Sequence, residues 1–136
     1  MRMELTTEAK TDNLEQVINF VNSQLEAADC SMKAQMQIEV AVEELFVNVA
    51  HYAYVPGTGD VTVNIEIEGD PAVARITFTD SGIPYDPLAK EDPDVTLSAE
   101  DRAIGGLGIF MVKKSMDEMH YEYKDGHNVL TICKKL

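Results

Sequence analysis

Three groups of residues in this chain of 136 residues have types and spacings that could do chemistry. The first group is Glu44 and Asn48, which stand four residues apart and therefore share one face of a helix. A carboxylate in that place can act as a general base or orient a water molecule. A neutral amide oxygen beside it can ligate Mg²⁺. The alternative interpretation is a polar border along an ordinary amphipathic helix.

The second group is the segment Asp80-Ser81-Gly82-Ile83-Pro84, which follows a run of alternating apolar residues. A carboxylate at the end of a strand can accept a hydrogen bond from an exocyclic amine, such as that of adenine. Gly82 would let a ligand approach the backbone closely. The alternative is an Asx-type turn that only closes the strand.

The third group is Gly105-Gly106-Leu107-Gly108, at the start of a segment with helical periodicity. The free N–H groups and the positive dipole end of a helix N-terminus suit a phosphate. The segment lacks the Gly-Lys-Ser/Thr of a P-loop and does not follow a strand in a βαβ unit. Both the P-loop and the dinucleotide-binding fold are therefore disfavoured, and the alternative is a flexible hinge before an ordinary helix.

Apolar periodicity predicts the elements that must position these groups. Helices are predicted over residues 13–26, from about Ser31 to Ala53, and from the glycines at 105–108 through Ile109, Val112, Met116 and Met119. Met111, Met116 and Met119 are predicted to lie in the core. Asp125-Gly126 is a strong hairpin signal. Strands are predicted at 3–9, as a hairpin over 61–80, and as a second hairpin formed by 121–124 and 128–134, and a long loop is predicted over 81–104.

Because hairpins rather than regular crossovers join these strands, the sequence predicts a single α+β domain, 1–136, built as a layered sandwich. The formal net charge is −13, which argues against nucleic-acid binding and against docking on an anionic membrane. The N-terminal segment has no apolar stretch typical of a signal peptide, so a cytoplasmic location is expected. Cys30 and Cys133 are accordingly expected to be free thiols.

In this order, Glu44-x-x-x-Asn48, Asp80-x-Gly82-x-Pro84 and Gly105-Gly106-x-Gly108 resemble the N, G1 and G2 boxes of the gyrase/chaperone/histidine-kinase/MutL (GHKL) ATPase superfamily. The segments EELFVNVAHYAY and GGLGIFMVKKSMDEM resemble the matching helices of bacterial anti-sigma-factor serine/threonine kinases. The resemblance implies the histidine-kinase-like (Bergerat-type) ATP-binding fold, a two-layer sandwich in which a mixed, mostly antiparallel sheet carries helices on one face.

The resemblance also implies a role for each site residue. Glu44 would orient or deprotonate the nucleophile, and Asn48 would hold Mg²⁺ and contact the nucleotide. Asp80 would contact the adenine amino group, with Gly82 giving room for the base and Thr131 helping to hold it. The remaining residues would contact the phosphates: Gly105, Gly106, Gly108 and a lid arginine, Arg102.

The sequence departs from the family pattern after Asn48, where Val49 replaces a common Ala and Tyr52 replaces a common His. The retained Glu44 favours an enzyme over a module that only binds ATP. The first function hypothesis is therefore an ATP-dependent serine/threonine kinase that phosphorylates a small anti-sigma-factor antagonist and so regulates a sigma factor. The alternative is an ATP-dependent module that sequesters a regulator. A piece of a two-component kinase is disfavoured because no phosphoacceptor region is recognisable, and a homodimer is expected by analogy.

Overall fold

The computed structural model describes residues 2–54, 57–89 and 106–136, and these residues form one sheet covered by three helices. The strands are β1 (Arg2–Glu8), β2 (Asp60–Glu68), β3 (Val73–Asp80), β4 (Glu118–Lys124) and β5 (His127–Lys135). The helices are α1 (Leu14–Ala27), α2 (Met32–Tyr52) and α3 (Gly106–Ser115), with short 3-10 turns at Thr11–Asn13 and Pro87–Ala89. Within these residues, no helix is long and apolar enough to span a bilayer.

The five strands lie in the order β1-β2-β3-β5-β4, and each neighbouring pair is antiparallel. One face of this sheet packs on the helices. It contributes buried residues at alternate positions of the three central strands: Val61, Val63 and Ile65; Ala74, Ile76 and Phe78; and Leu130 and Ile132. The predicted α+β two-layer sandwich is confirmed, with a sheet whose described pairings are antiparallel throughout.

Helix α2 positions the first group of candidate residues. Ser31 begins it by accepting a hydrogen bond on Oγ from the Ala34 amide (3.2 Å), as an N-cap serine should. Its buried residues, at helical spacing, are Ala34, Ile38, Ala41, Val42, Leu45 and Phe46. Each large side chain in this set stabilises the fold by about 1.5–3 kcal/mol through burial. Glu44 and Asn48 are half-buried at the border of this stripe, as their spacing predicts.

Helix α3 ends earlier than its periodicity predicts. The Asp117 amide donates to the Cys133 carbonyl oxygen (3.0 Å), and Lys134 Nζ donates to the Ser115 carbonyl oxygen (2.7 Å), so the chain leaves the helix and joins the sheet. Met119 therefore lies on β4 and packs partly buried against the core. Met116 is buried, whereas Met111 is 53% exposed and is not a core residue.

The Asp125-Gly126 turn forms the predicted hairpin between β4 and β5. Both residues have positive φ, 54° and 81°, which the type I′ two-residue hairpin turn requires and which Asp and Gly tolerate. This turn fixes the register in which β5 faces its neighbours, with Lys124 opposite His127. It lies at the same end of the sheet as the carboxyl end of β3, because Asp80 pairs with Asn128.

Candidate functional site

A pocket opens between the second half of α2 and the ends of β3 and β5. Its wall is mostly apolar and aromatic, with three polar side chains among the lining residues. These residues are Leu45, Asn48, Val49, Tyr52, Ala53, Phe78, Asp80, Ile83, Tyr85, Pro87, Tyr121, Asn128 and Leu130. An apolar cleft with a few convergent polar groups is the usual form of a small-molecule site. Asn48 and Asp80, predicted from separate motifs, line the same pocket.

Asp80 lies at the polar end of this pocket, and the residue is only 6% exposed. Its Oδ1 accepts hydrogen bonds from the Gly82 amide (2.9 Å) and from Asn128 Nδ2 (2.9 Å). The first of these bonds is the Asx-type turn that the sequence offered as an alternative, so the turn and the pocket carboxylate coexist. Both donors reach the same oxygen, which holds the carboxylate in one orientation at the end of β3.

Gly82 packs the loop after β3 against the end of α2. A methyl group added to its Cα would lie 2.2 Å from the carbonyl oxygen of Ala53, so a side chain would push the loop away. The next residue fixes this contact, because the Ile83 amide donates to the same Ala53 oxygen (2.9 Å). The Asp80 loop is thereby tied to the helix that carries Asn48 and Glu44.

The carboxylate of Glu44 lies against the first turn of α3. A methyl group on the Cα of Gly108 would stand 2.1 Å from Glu44 Oε2 and 2.6 Å from its Cδ. Helix α3 begins at Gly106. The structure thus brings together Glu44 and Gly108 of the third motif, in the first turn of a helix, where free backbone N–H groups favour anions. Arg102 and Gly105 lie outside the described residues.

Thr131 lies on the opposite face of the sheet from the pocket. Its neighbours Leu130 and Ile132 point into the core, so Thr131 must point away from it. Its hydroxyl is 3.3 Å from that of Thr77, and it lines a shallow surface depression with Glu118, Met119, His120 and Cys133. The structure therefore corrects the assignment of Thr131 to the adenine site, since the strand alternation turns its side chain outward.

Asn128 occupies the inward position that the sequence interpretation missed. It is 5% exposed, and its Nδ2 donates to Asp80 Oδ1 and to the Ile83 carbonyl oxygen (2.8 Å). Its Oδ1 accepts from the Tyr85 amide (3.1 Å) and from the Tyr121 hydroxyl.

The sequence does carry a signal for Asn128, because a strand with Leu130 and Ile132 facing the core also turns residue 128 inward. Asn128 acts as a positioning residue for Asp80.

Asn128→Ala is expected to lower the free energy of unfolding by about 2–4 kcal/mol, because it leaves several buried donors and acceptors unpaired. Thr131→Ala is a matched control on the same strand but the other face, and about 1 kcal/mol or less is expected for its single side-chain bond. Urea unfolding of both variants measures the difference. An equal loss of unfolding free energy in both variants would show that the hydrogen bonds of Asn128 do not stabilise the fold more than the single bond of Thr131.

Tyr52, Tyr85 and Tyr121 line the pocket, and Tyr54 bonds to the loop that follows β3. The rings of Tyr52 and Tyr85 are stacked, with centroids 5.4 Å apart and 21° between their planes. Tyr54 donates its hydroxyl to the Asp60 carbonyl oxygen (2.6 Å) and accepts from the Ser81 amide (2.7 Å). Burial raises the pKa of Tyr54 and of Tyr121, so both phenols stay protonated and can donate at neutral pH.

The family model described as "Histidine kinase-like ATPase domain" matches residues 7–134. The chain belongs to the histidine kinase-like ATPase family. Its relatives identify the branch as that of the anti-sigma-factor kinases, which confirms the resemblance seen in the motifs. Membership of this ATPase family implies that the domain binds ATP.

Two relatives of this ATPase domain carry kinase names. The serine-protein kinase RsbW of Listeria monocytogenes (serovar 1/2a) is 30% identical over 108 residues, which are 76% of this chain and 68% of the relative. The serine/threonine-protein kinase BtrW of Bordetella bronchiseptica is 24% identical over 102 residues, 75% of this chain and 71% of the relative. The comparison supports membership of a kinase family, at an identity that leaves the specific activity to be proposed.

A solved structure shows the same fold as this ATPase domain. The crystal structure of the RsbU and RsbW domains of Rv1364c from Mycobacterium tuberculosis superposes with a TM-score of 0.71 at 16% sequence identity. The match covers 100% of this chain and 32% of that one, so the chain spans about a third of its structural neighbour. At this identity the likeness concerns the fold.

The donor groups of this ATPase domain fit a magnesium ion that arrives with a nucleotide. The described residues contain no cluster of three or more His, Cys, Asp or Glu side chains that could hold a metal alone. The site instead offers the Asn48 amide, one helical turn from the carboxylate of Glu44. Mg²⁺ prefers oxygen donors, keeps several waters and is commonly bound through one or two side chains together with substrate phosphates.

Proposed function

We propose that this chain is an ATP-dependent serine/threonine protein kinase that phosphorylates a small anti-sigma-factor antagonist and thereby regulates a sigma factor. The observation that carries the proposal is the contact between the Glu44 carboxylate and Gly108 at the start of α3. This contact supports the proposal because Glu44, as the base, would then stand beside a helix N-terminus suited to phosphate. Glu44 also shares α2 with Asn48, which lines the pocket. A cytoplasmic homodimer is part of the proposal by resemblance.

The polar end of the pocket would select the adenine base. The Gly82 amide and Asn128 Nδ2 both donate to Asp80 Oδ1. The other carboxylate oxygen, Oδ2, would therefore accept the hydrogen bond from the exocyclic amino group. Asn128 would keep the carboxylate in orientation, and the close packing of Gly82 on α2 would keep the wall flat. The apolar residues Phe78 and Leu130 would contact the base face.

The other end would hold the phosphates and the acceptor. Bound Mg·ATP supplies the phosphoryl group, and its metal neutralises charge on the transferred phosphate. Asn48 would ligate the metal, while the backbone at Gly105, Gly106 and Gly108 would approach the phosphates. Glu44 would accept the proton of the acceptor hydroxyl, or orient that hydroxyl for attack, and Arg102 would reach the terminal phosphate. Catalysis would then rest mainly on positioning and charge.

The alternative function is ATP-dependent sequestration of a regulator without efficient transfer. The same pocket would serve it, and only the contribution of Glu44 differs between the two. Purified protein, γ-labelled Mg·ATP and the antagonist-type proteins of the source genome test both ideas together. Label on a serine or threonine of one acceptor supports the kinase. ATP-dependent complex formation without label supports sequestration, and absence of ATP binding overturns both.

Asp80→Asn is expected to weaken ATP binding by about tenfold to a hundredfold, measured by calorimetry with a non-hydrolysable analogue. The variant preserves size and can keep Oδ1 as an acceptor for Gly82 and Asn128, but it presents an NH₂ group where the base would donate. The midpoint of urea unfolding should change little by comparison. An unchanged affinity for ATP would show that Asp80 does not read adenine.

A further inference from the structure

Helix α2 exposes a row of apolar side chains before it reaches the site. Met32 is 79% exposed, Met36 is 60% exposed and Val40 is 53% exposed, and the three stand four residues apart. Residues at this spacing form one continuous row on a helix surface. Met36 points almost directly away from the core, because it lies about 200° around the helix from the buried Ile38. We call Met32, Met36 and Val40 the α2 row.

The α2 row leads to the proposed base. The next positions at the same spacing are Glu44 and Asn48, and neighbours four apart have Cβ atoms about 5–6 Å from each other. A protein bound on Val40 would therefore lie one helical turn from the carboxylate that touches Gly108. A surface that only kept the helix soluble would carry polar side chains at these solvent-facing positions.

A fourth exposed apolar residue stands on the neighbouring helix. Met111 of α3 is 53% exposed and follows Gly108 by three residues, so the two are adjacent on the α3 surface. Helices α2 and α3 pack against each other. Because Gly108 meets Glu44, Met111 and Val40 each lie within one turn of the same contact. Methionine side chains adapt to differently shaped partners and are common on protein-binding surfaces.

The α2 charges around the end of the row are acidic, whereas the last turn of α3, beyond Met111, carries Lys113 and Lys114. After Lys33, the Asp, Glu, Lys and Arg residues of α2 are Glu39 beside Val40, and Glu43 and Glu44 in the turn that follows it, and Glu43 is exposed. The whole chain carries a formal net charge of −13. A partner on this surface would gain from lysine or arginine opposite Glu39 and Glu43, both in contact and in the rate of association. These carboxylates disfavour an acidic partner and a second copy of this acidic chain.

We propose that the α2 row and Met111 form the docking surface for the protein that carries the acceptor hydroxyl. The partner would present an apolar patch for the row and a lysine or arginine close to its acceptor serine or threonine. The inference rests on the proposed kinase function and adds to it where the acceptor binds and what its surface must carry. Docking there would bring the hydroxyl to Glu44 without contact to the adenine end of the pocket.

The test is the double variant Met36→Gln/Val40→Gln, assayed for label transfer to whichever antagonist-type protein the wild-type chain phosphorylates. Glutamine keeps good helix propensity, and both sites are exposed, so the fold should be retained. The KM for the acceptor is expected to rise by about tenfold or more, with kcat and ATP affinity within about twofold, because docking energy is lost equally in ground and transition states. Met3→Gln, an exposed methionine on β1, is the matched control and should leave KM unchanged.

A charge-reversal pair tests the acidic end of the surface. Glu43→Lys is expected to raise the KM for the acceptor several-fold and more strongly at low salt, whereas Glu4→Lys on β1 makes the same charge change and should have little effect. If the wild type labels an acceptor but both α2 variants match it, the docking surface is wrong and the kinase stands. If the wild type binds ATP and labels no acceptor, both proposals fail. If the double variant instead converts a dimer to a monomer in sedimentation, the row joins two copies and the docking proposal is overturned.

Discussion

Glu44→Gln is expected to lower the rate of phosphoryl transfer by about a thousandfold while leaving ATP affinity within about twofold. General-base catalysis contributes roughly 10²–10⁴-fold to a reaction rate. The glutamine amide has nearly the same size as the carboxylate but cannot take up the proton of the acceptor hydroxyl. Glu44 is not among the residues that line the pocket, and glutamine keeps the same shape against Gly108, so nucleotide binding should survive. Single-turnover transfer of label and calorimetric titration with a non-hydrolysable analogue measure the two quantities.

The neighbouring carboxylate provides the control. Glu43→Gln removes the same charge from the same helix, but Glu43 is exposed on the solvent side of α2. Its transfer rate at saturating acceptor should stay within about threefold of wild type, since long-range charge effects at an exposed site are screened. An equal loss of transfer rate in both variants would mean that Glu44 acts only through its negative charge and not as a base. Unchanged transfer in Glu44→Gln would remove it from the catalytic role and favour sequestration.

Gly108→Ala is expected to weaken ATP binding by roughly tenfold to a hundredfold and to reduce transfer in parallel. The added methyl group would lie 2.1 Å from Glu44 Oε2, so either the carboxylate or the start of α3 must move. Overpacking of this kind costs about 1–3 kcal/mol, which corresponds to that range of affinity. Alanine otherwise favours a helix over glycine, so the unfolding free energy should fall less than the binding free energy.

A double-mutant cycle separates this clash from a general effect on α3. If the methyl group acts through Glu44, then Gly108→Ala/Glu44→Ala should recover most of the ATP affinity that Gly108→Ala loses, although it cannot recover transfer. Residues in contact show such non-additive energies, whereas distant residues add within about 0.5 kcal/mol. Additive losses in binding would mean that the two residues are energetically independent, and the contact would then carry no functional weight.

Local signals in the sequence predicted the elements well. The Asp125-Gly126 turn and the Ser31 start of α2 both follow from the conformational and hydrogen-bonding preferences of a few neighbouring residues. Met116 and Met119 satisfy helical spacing, so the sequence predicts Met119 on α3. The structure has it on β4 because the Asp117 amide bonds to β5, and no local pattern reports that contact. Strand pairing between distant segments decided the end of α3.

The site was predicted unevenly for the same reason. Glu44 and Asn48 share a helix face by spacing alone, but the contact of Glu44 with Gly108 joins two segments that only the packing of α2 on α3 brings together. The resemblance indicates Thr131, although the alternation of β5 turns its side chain away from the pocket. Applying that alternation from Leu130 would have selected Asn128, whose side chain completes the buried network around Asp80.

The two turns of the sheet should differ in how they tolerate a change of length. The Asp125-Gly126 turn stands two residues from Asn128, and it sets which side chains of β5 face the pocket. One inserted residue there could slip the strand and place Val129 or His127 beside Asp80, exchanging a neutral hydrogen-bonding amide for a hydrocarbon or an imidazole. The Gly69–Ala72 connection lies at the far end of the sheet. Related sequences can therefore carry a longer connection there. Insertions in the β4–β5 turn would be removed by selection, because they would disrupt the nucleotide site.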